Sequence, residues 1–233
     1  MNNRPVSAKT RNTLIAFLTF AAGSIDALSF LTLGGVFASF MSGNTLILGV
    51  RIGMGDFALA LHSMTAVLGY IAGVALAANI GNQSLLSQEI WPLATTKIIA
   101  VEFLLLVVFM IVGFIAGNTS SEVIYLLILL ATVPMGMQSV GVRRLGIAGV
   151  TSTYVTGTWT SFIIGLVTLR RSHPSQRITK VKQDTVIQAV ILIMYLLGAA
   201  IGGVMGIHFL LKAAVIPVST IGFVLIVACI RIR

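Results

Sequence analysis

GSIDALSFLTLGGVFASFMSGNT (residues 23–45) and GMQSVGVRRLGIAGVTSTYVTGTW (residues 136–159) stand half a chain apart and read as rough copies of one another. Gly23 pairs with Gly136, Gly35-Val36 with Gly149-Val150, and Ser42-Gly43 with Thr156-Gly157. Each copy ends in a hydroxyl–Gly–polar step inside a stretch apolar enough to lie in a membrane. Glycine-interrupted hydrophobic segments at matching places in two halves of a chain are the sequence pattern of duplicated transporters, and they point to the binding site.

The surrounding sequence fits that setting. The 233 residues are 57% hydrophobic and only 9% charged, with mean hydropathy +1.04. A soluble domain carries about 25% charged residues, so the composition is that of an integral membrane protein. Six stretches approach or exceed the ~20 residues needed for a helical span: 13–33, 57–81, 95–117, 123–142, 185–209 and 213–230. No connection is long enough for a soluble domain. The chain reads as a single transmembrane domain, 1–233, with repeat halves 12–117 and 122–230. Arg4, Lys9 and Arg11 followed by TLIAFLTFAAG imitate a signal peptide. Apolar sequence continues past Asp26, however, and the segment has a counterpart in the second half, so it is expected to stay as the first span.

The formal net charge is +9. The cations sit mainly in short ends and loops with no interleaved aromatic residues, which the positive-inside rule explains; no nucleic-acid partner is expected. Cys229 is the only cysteine, which leaves no internal disulfide and no thiolate cluster.

Charge placement also bears on topology. Segments 36–50 and 150–169 each follow a span closely, and each carries the glycine step. If both cross the bilayer there are eight spans, and Lys and Arg divide eleven inside to four outside. If neither crosses there are six, both termini and the basic loop 170–184 are cytoplasmic, and the division is thirteen to two. The rule favours six, while Trp159 and the hydrophobicity of 161–169 keep the eight-span model open. Three spans per half make the halves enter in opposite directions. The expected fold is therefore an all-α, polytopic transmembrane helix bundle: six spans plus two re-entrant or broken helical segments, arranged as an inverted internal repeat. Irregular backbone at membrane depth must be buried in protein or line a cavity, so a cavity is expected. Further along, Leu68-Gly69-x-x-x-Gly73 resembles Leu197-Gly198-x-x-x-Gly202, offset by an insertion the length of the basic loop.

Two acidic residues lie well inside predicted spans, Asp26 and Glu102. A charge at mid-membrane costs at least ~2.5 kcal/mol, so such residues usually face a cavity or a partner. One reading is a proton- or cation-coupling carboxylate; the other is a carboxyl that locks helices together. Ser139 takes the place of Asp26 in the second copy. Ser42, Asn44 and Thr45, with Thr156, Thr158 and Thr160, supply the polar atoms at the two breaks. A helix restarting after Gly43 or Gly157 would turn free N–H groups inward, suiting an anionic or polar ligand; equally, these hydroxyls can satisfy backbone groups around a kink. Gln138, Arg143 and Arg144 lie on the span of the second motif; the arginines read as topology anchors at the cytoplasmic end, with anion binding there as the alternative. Glycines at four-residue spacing allow close helix packing, within the chain or in a homodimer. His62 and His208 have no HExxH, CxxC or carboxylate cluster beside them, so no metal site is expected. No cofactor motif is present, and Ser42 lacks the glycine two residues earlier that a serine hydrolase would show, since Phe40 stands there.

The first motif resembles the YoaK-type family of uncharacterised bacterial inner-membrane proteins. The resemblance rests on Gly23-x-x-Asp26-Ala27, then Phe30-Leu31-x-Leu33-Gly34-Gly35-Val36-Phe37 and Met41-Ser42-Gly43-Asn44. Gly136-Met137-Gln138, Arg143-Arg144-Leu145 and Thr156-Gly157-Thr158 are similar to that family's second signature, so the likeness spans the chain. Ser42 stands where threonine is commoner, and Ser139 where asparagine is. The resemblance implies a place in a bacterial inner membrane and supplies no activity.

From the residues, the expected function is secondary transport or export of a small polar or anionic solute. The binding set is Asp26, Ser42, Gly43, Asn44, Thr45, Glu102, Gln138, Thr156, Gly157 and Thr158, with Asp26 the preferred coupling group and Glu102 the second. The expected partners are the lipid bilayer and that solute. The competing class is a membrane scaffold or sensor in which glycines and hydroxyls only pack helices, with an intramembrane enzyme a distant third. Asp26 facing a polar cavity favours the transporter; Asp26 sealed in dry packing favours the scaffold.

Overall fold

The computed structural model describes residues 7–80, 89–115, 121–146, 155–171 and 176–231. Among them all regular structure is helical: α1 (Ala8–Thr32), α2 (Met41–Gly53), α3 (Phe57–Asn79), α4 (Leu93–Ile115), α5 (Ser121–Arg143), α6 (Val155–Arg171), α7 (Gln176–Phe209), a 3-10 turn (Leu210–Ala214) and α8 (Val215–Arg231). Among the described residues, five helical segments are long and apolar enough to cross a membrane: Ala8–Thr32, Phe57–Asn79, Leu93–Ile115, Glu122–Arg143 and Ile178–Ile230. The last, at 53 residues, is two rods. Gly206 of α7 lies against Leu28 of α1, whereas Phe223 of α8 has returned to meet Phe17 edge-on at 5.1 Å. The reversal falls at the 3-10 turn, where Leu210 adopts φ 52°.

The local chemistry explains where helices start. Ser7 Oγ accepts from Thr10 N at 3.1 Å and caps α1; Asp56 Oδ1 accepts from Leu59 N at 3.3 Å and caps α3. Inside the helices, threonine hydroxyls return to the carbonyl one turn back, as Thr19 does to Ile15 (2.9 Å) and Thr132 to Ile128 (2.8 Å), so they need no partner in the bilayer. α1 is the central rod, with Leu14, Ile15, Leu18, Ala21, Ala22, Ile25 and Leu28 all buried. The outer faces of α3, α4, α7 and α8 expose leucine, isoleucine and valine along their lengths, the surface of a helix bundle solvated by lipid.

Backbone contact at glycine sets the helix pairs. A Cβ on Gly23 would collide with Tyr195 O, and one on Gly136 with Tyr70 O; one on Gly198 would strike Phe20 O, and one on Gly73 Val133 O. Small residues of this kind let transmembrane helices approach to main-chain contact. The residues met in succession show direction. Phe20, Ser24 and Leu28 of α1 follow Gly198, Gly202 and Gly206 of α7, so these helices run parallel. Leu129 and Val133 of α5 follow Gly69 and Gly73 of α3, also parallel. α4 and α8 are antiparallel, through Gly113 with Leu211 and Phe103 with Gly222. α1 packs on α7 and α8, and α5 packs on α3 and α4, so the leading helix of each half is inserted among the helices of the other. The pairing expected from Leu-Gly-x-x-x-Gly is shifted by one turn: Gly73, not Gly69, has the surroundings of Gly198, and Gly69 faces the Thr132 hydroxyl.

One end of the bundle gathers cations. Arg11 Nη1 donates to Leu145 O, Arg144 Nη2 to Ala77 O and Ala78 O, each at 3.4 Å, and Thr95 Oγ1 to Gly141 O at 3.3 Å. These bonds bring the starts of α1 and α4 together with the ends of α3 and α5. Arg144 is only 4% exposed, so it is more than a topology anchor: it satisfies carbonyls at the negative end of α3. Arg51, paired with Asp56 at 3.0 Å, and Lys212 lie at the opposite end. The basic loop expected at 170–184 is mostly helix, because α6 runs to Arg171 and α7 starts at Gln176. Residues 172–175 lie outside the described residues, as does the Gly149-Val150 part of the second motif.

Candidate functional site

Asp26 projects from the upper part of α1 and is 2% exposed. Its neighbours come from a return of the chain. After α1, Gly34 and Gly35 adopt φ +78° and +79°, the left-handed conformation that favours glycine. The link then folds back along α1: Phe37 stacks on Phe30 at 4.9 Å, and Ser39 reaches Asp26. Ser39 N donates to Oδ1, while Ser39 Oγ and the Tyr195 hydroxyl of α7 donate to Oδ2, each at 2.6 Å. Asp26 lies six residues before the end of α1, so the link descends about 9 Å at 1.5 Å per residue.

α2 then starts from this lowered point. The helix begins at Met41, two residues before Gly43, so the irregular backbone precedes the hydroxyl–Gly step and does not fall on it. Gly43 instead seats the Phe40 ring, which a Cβ would strike. Asn44 is fully buried and clasps one residue with both ends of its amide: Phe37 N donates to Oδ1 at 2.8 Å, and Nδ2 donates to Phe37 O at 2.7 Å. Thr45 Oγ1 bonds Met41 O at 2.9 Å, and Ser42 is exposed.

In the second half Gly157 lies within α6 as Gly43 lies within α2; Thr156 is exposed like Ser42, and Thr158 is buried like Asn44. Tyr70 OH lies 2.8 Å from Ser139 Oγ, the counterpart of the Tyr195–Asp26 bond. Gln138 is buried and donates to Leu18 O at 3.2 Å, tying α5 to α1.

Glu102 has a different environment. It lies on the buried stripe of α4 with Ile98, Ile99, Leu106 and Phe109, is itself fully buried, and neither carboxyl oxygen has a hydrogen-bond partner among the described residues. α4 packs both on α5 and on α8 with the 3-10 turn. Glu102 therefore sits on a helix that packs both on α5, the leading helix of the second half, and on α8.

The structure thus brings Asp26 together with Ser39 and Tyr195, two residues that the sequence did not single out. Glu102 makes no hydrogen bond to that group. Sequence held one signal for Tyr195: Tyr70 and Tyr195 each stand three residues before the glycines that share surroundings, a match hidden by the one-turn offset. Among the described residues no group of three His, Cys, Asp or Glu side chains could hold a metal.

Membrane-length helices with lipid-facing apolar surfaces, a buried carboxyl and a cationic end define a polytopic integral membrane protein. The family model described as "Protein of unknown function (DUF1275)" matches residues 14–228, and the chain belongs to that family. It is similar to the UPF0700 transmembrane protein YoaK of Bacillus subtilis (strain 168), with 35% identity over 195 residues and 84% of each chain covered. The likeness seen in the two motifs is thereby borne out, and a bacterial membrane protein with several spans agrees with it. No solved structure matches.

Proposed function

We propose that the protein is a proton-coupled secondary transporter of a small polar or anionic solute, with Glu102 as the coupling carboxyl. The observation that carries this reading is the fully buried carboxyl on α4, which has no hydrogen-bond partner among the described residues. A carboxylate with no partner is costly at that depth, and intramembrane ionisable groups of this kind mark ion and substrate paths. Asp26, by contrast, has its oxygens occupied by donors, which suits an anchor for the returning link.

The scaffold is a six-span inverted repeat, α1–α4 against α5–α8, with 33–53 and 155–171 as the two re-entrant segments. Two features support it: the matched glycine contacts, and the matched Tyr70–Ser139 and Tyr195–Asp26 bonds. α2, at 13 residues, is about 20 Å long and too short to span a ~30 Å core. Both termini face the cytoplasm with the cationic end. In alternating access, the group α1/α6/α7/α8 rocks against α2/α3/α4/α5, and α4 carries Glu102 across the seam. In a Cys229→Ser background, Lys9→Cys and Arg143→Cys are expected to react with an impermeant thiol reagent from one side only, and Met54→Cys and Lys212→Cys from the other. Lys9 and Met54 reacting from the same side would end the six-span reading.

A thermal-shift screen of small anions and polar neutral solutes at two pH values tests the function. The expected hit binds with an affinity that changes with pH, up to about tenfold per pH unit for one coupled proton, and Glu102→Gln removes that dependence. A folded protein that binds none of them, or binds one identically at both pH values, favours the scaffold or sensor reading, for which the saturated anchoring of Asp26 speaks.

A further inference from the structure

A cavity of about 940 Å³ opens at the cationic end between the first halves of α1 and α7. Its position follows from the helix pair. The two rods are in main-chain contact from Phe20 and Gly198 upward, and the space lies on the side toward their N-termini, between residues 8–17 and 179–194. Its lining is two-tiered. At the mouth stand Lys9, Arg11 and Lys182 against one carboxylate, Asp184; deeper lie Phe17, Val190 and Met194. The mouth therefore carries a net charge of two positive, and the floor is hydrocarbon that runs on toward the membrane interior.

We propose that this furrow binds an anionic phospholipid, with the phosphate at Lys9, Arg11 and Lys182 and one acyl chain along Phe17, Val190 and Met194. Charge complementarity selects the lipid. A basic pocket between transmembrane helices on the cytoplasmic side recognises anionic head groups, while a zwitterionic lipid would gain little from three cations. The tiers select a lipid over a free phosphate, because an ion would leave the apolar floor unused. Arg11 also donates to Leu145 O at the end of α5, so a lipid here contacts a side chain that joins the two groups of helices. The site stands independently of the transport reading: it requires only that this end face an anionic leaflet.

Native mass spectrometry of the full chain, titrated with phosphatidylglycerol, with phosphatidylcholine of the same chains and with glycerol phosphate alone, tests the proposal. The expected result is at least about tenfold preference for phosphatidylglycerol over phosphatidylcholine and weak binding of glycerol phosphate. Lys9→Gln/Arg11→Gln/Lys182→Gln should abolish the preference, Val190→Trp should weaken both lipids, and Lys212→Gln at the opposite end should change neither. If the triple variant does not fold, Lys182→Gln alone must lower the preference. Equal retention of the two lipids, a preference that survives loss of the cations, or glycerol phosphate binding as tightly as the lipid would overturn it.

Discussion

Replacing Asp26 by alanine is expected to lower the thermal midpoint of the detergent-solubilised protein more than any other single side-chain truncation in α1. The change leaves Ser39 N, Ser39 Oγ and the Tyr195 hydroxyl without their acceptor. A buried polar group that loses its partner costs about 1–3 kcal/mol, and with three such groups on one carboxyl the loss is on the order of several kcal/mol. Asp26→Asn should also destabilise, since its NH2 group would face donors. Tyr195→Phe removes one of the three bonds and should cost less than either. Ser24→Ala, on the same helix, removes a buried hydroxyl that has no partner among the described residues and should be close to neutral. An Asp26→Ala protein as stable as the wild type would show that the link is not anchored there.

The second large effect concerns the glycine contacts. Gly73→Ala and Gly198→Ala each place a methyl group against a backbone carbonyl, that of Val133 or of Phe20. Neither carbonyl can move aside as a flexible side chain would, so the helix pair must separate. Overpacking of this kind costs typically ~1–3 kcal/mol, and the two substitutions should cost similar amounts because their surroundings match. Gly203→Ala meets only Ala27 Cβ at 4.0 Å, and Gly49→Ala meets nothing; both should fold normally, with Gly49→Ala favoured by helix propensity. Thermal unfolding in detergent reads all four. Unequal effects at Gly73 and Gly198 would count against a shared architecture.

These effects also mark what could be read from the sequence. Hydropathy located α3, α4, α5 and α8 to within a few residues and missed only the first turn of α1, because a lipid-facing span must be apolar all round. It stopped short at α7, a 34-residue helix whose first turns carry Lys180, Lys182 and Asp184. Past the ~30 Å core a helix can continue in water with charged residues, so the basic stretch read as a loop. The glycine step at Gly43 does not make the bend in the first copy. The turn is made at Gly34 and Gly35, where φ is positive, while Gly43 gives room to Phe40. Asp26 stood out by its depth alone. Its partners, Ser39 thirteen residues on and Tyr195 in another helix, belong to tertiary structure that no local pattern encodes. Glu102 was visible for the same reason as Asp26, yet the contrast between them, one carboxyl held by three donors and one with none among the described residues, emerges only when the helices are packed.

Proton movement through Glu102 is measured most directly in proteoliposomes loaded with a pH-sensitive dye and challenged with the solutes that stabilise the purified protein. The expected result is a solute-driven change in luminal pH for the wild type, lost in a folded Glu102→Gln protein. Solute flux with no accompanying pH change, or a pH change of the same size in Glu102→Gln, would contradict a coupling role for this carboxyl.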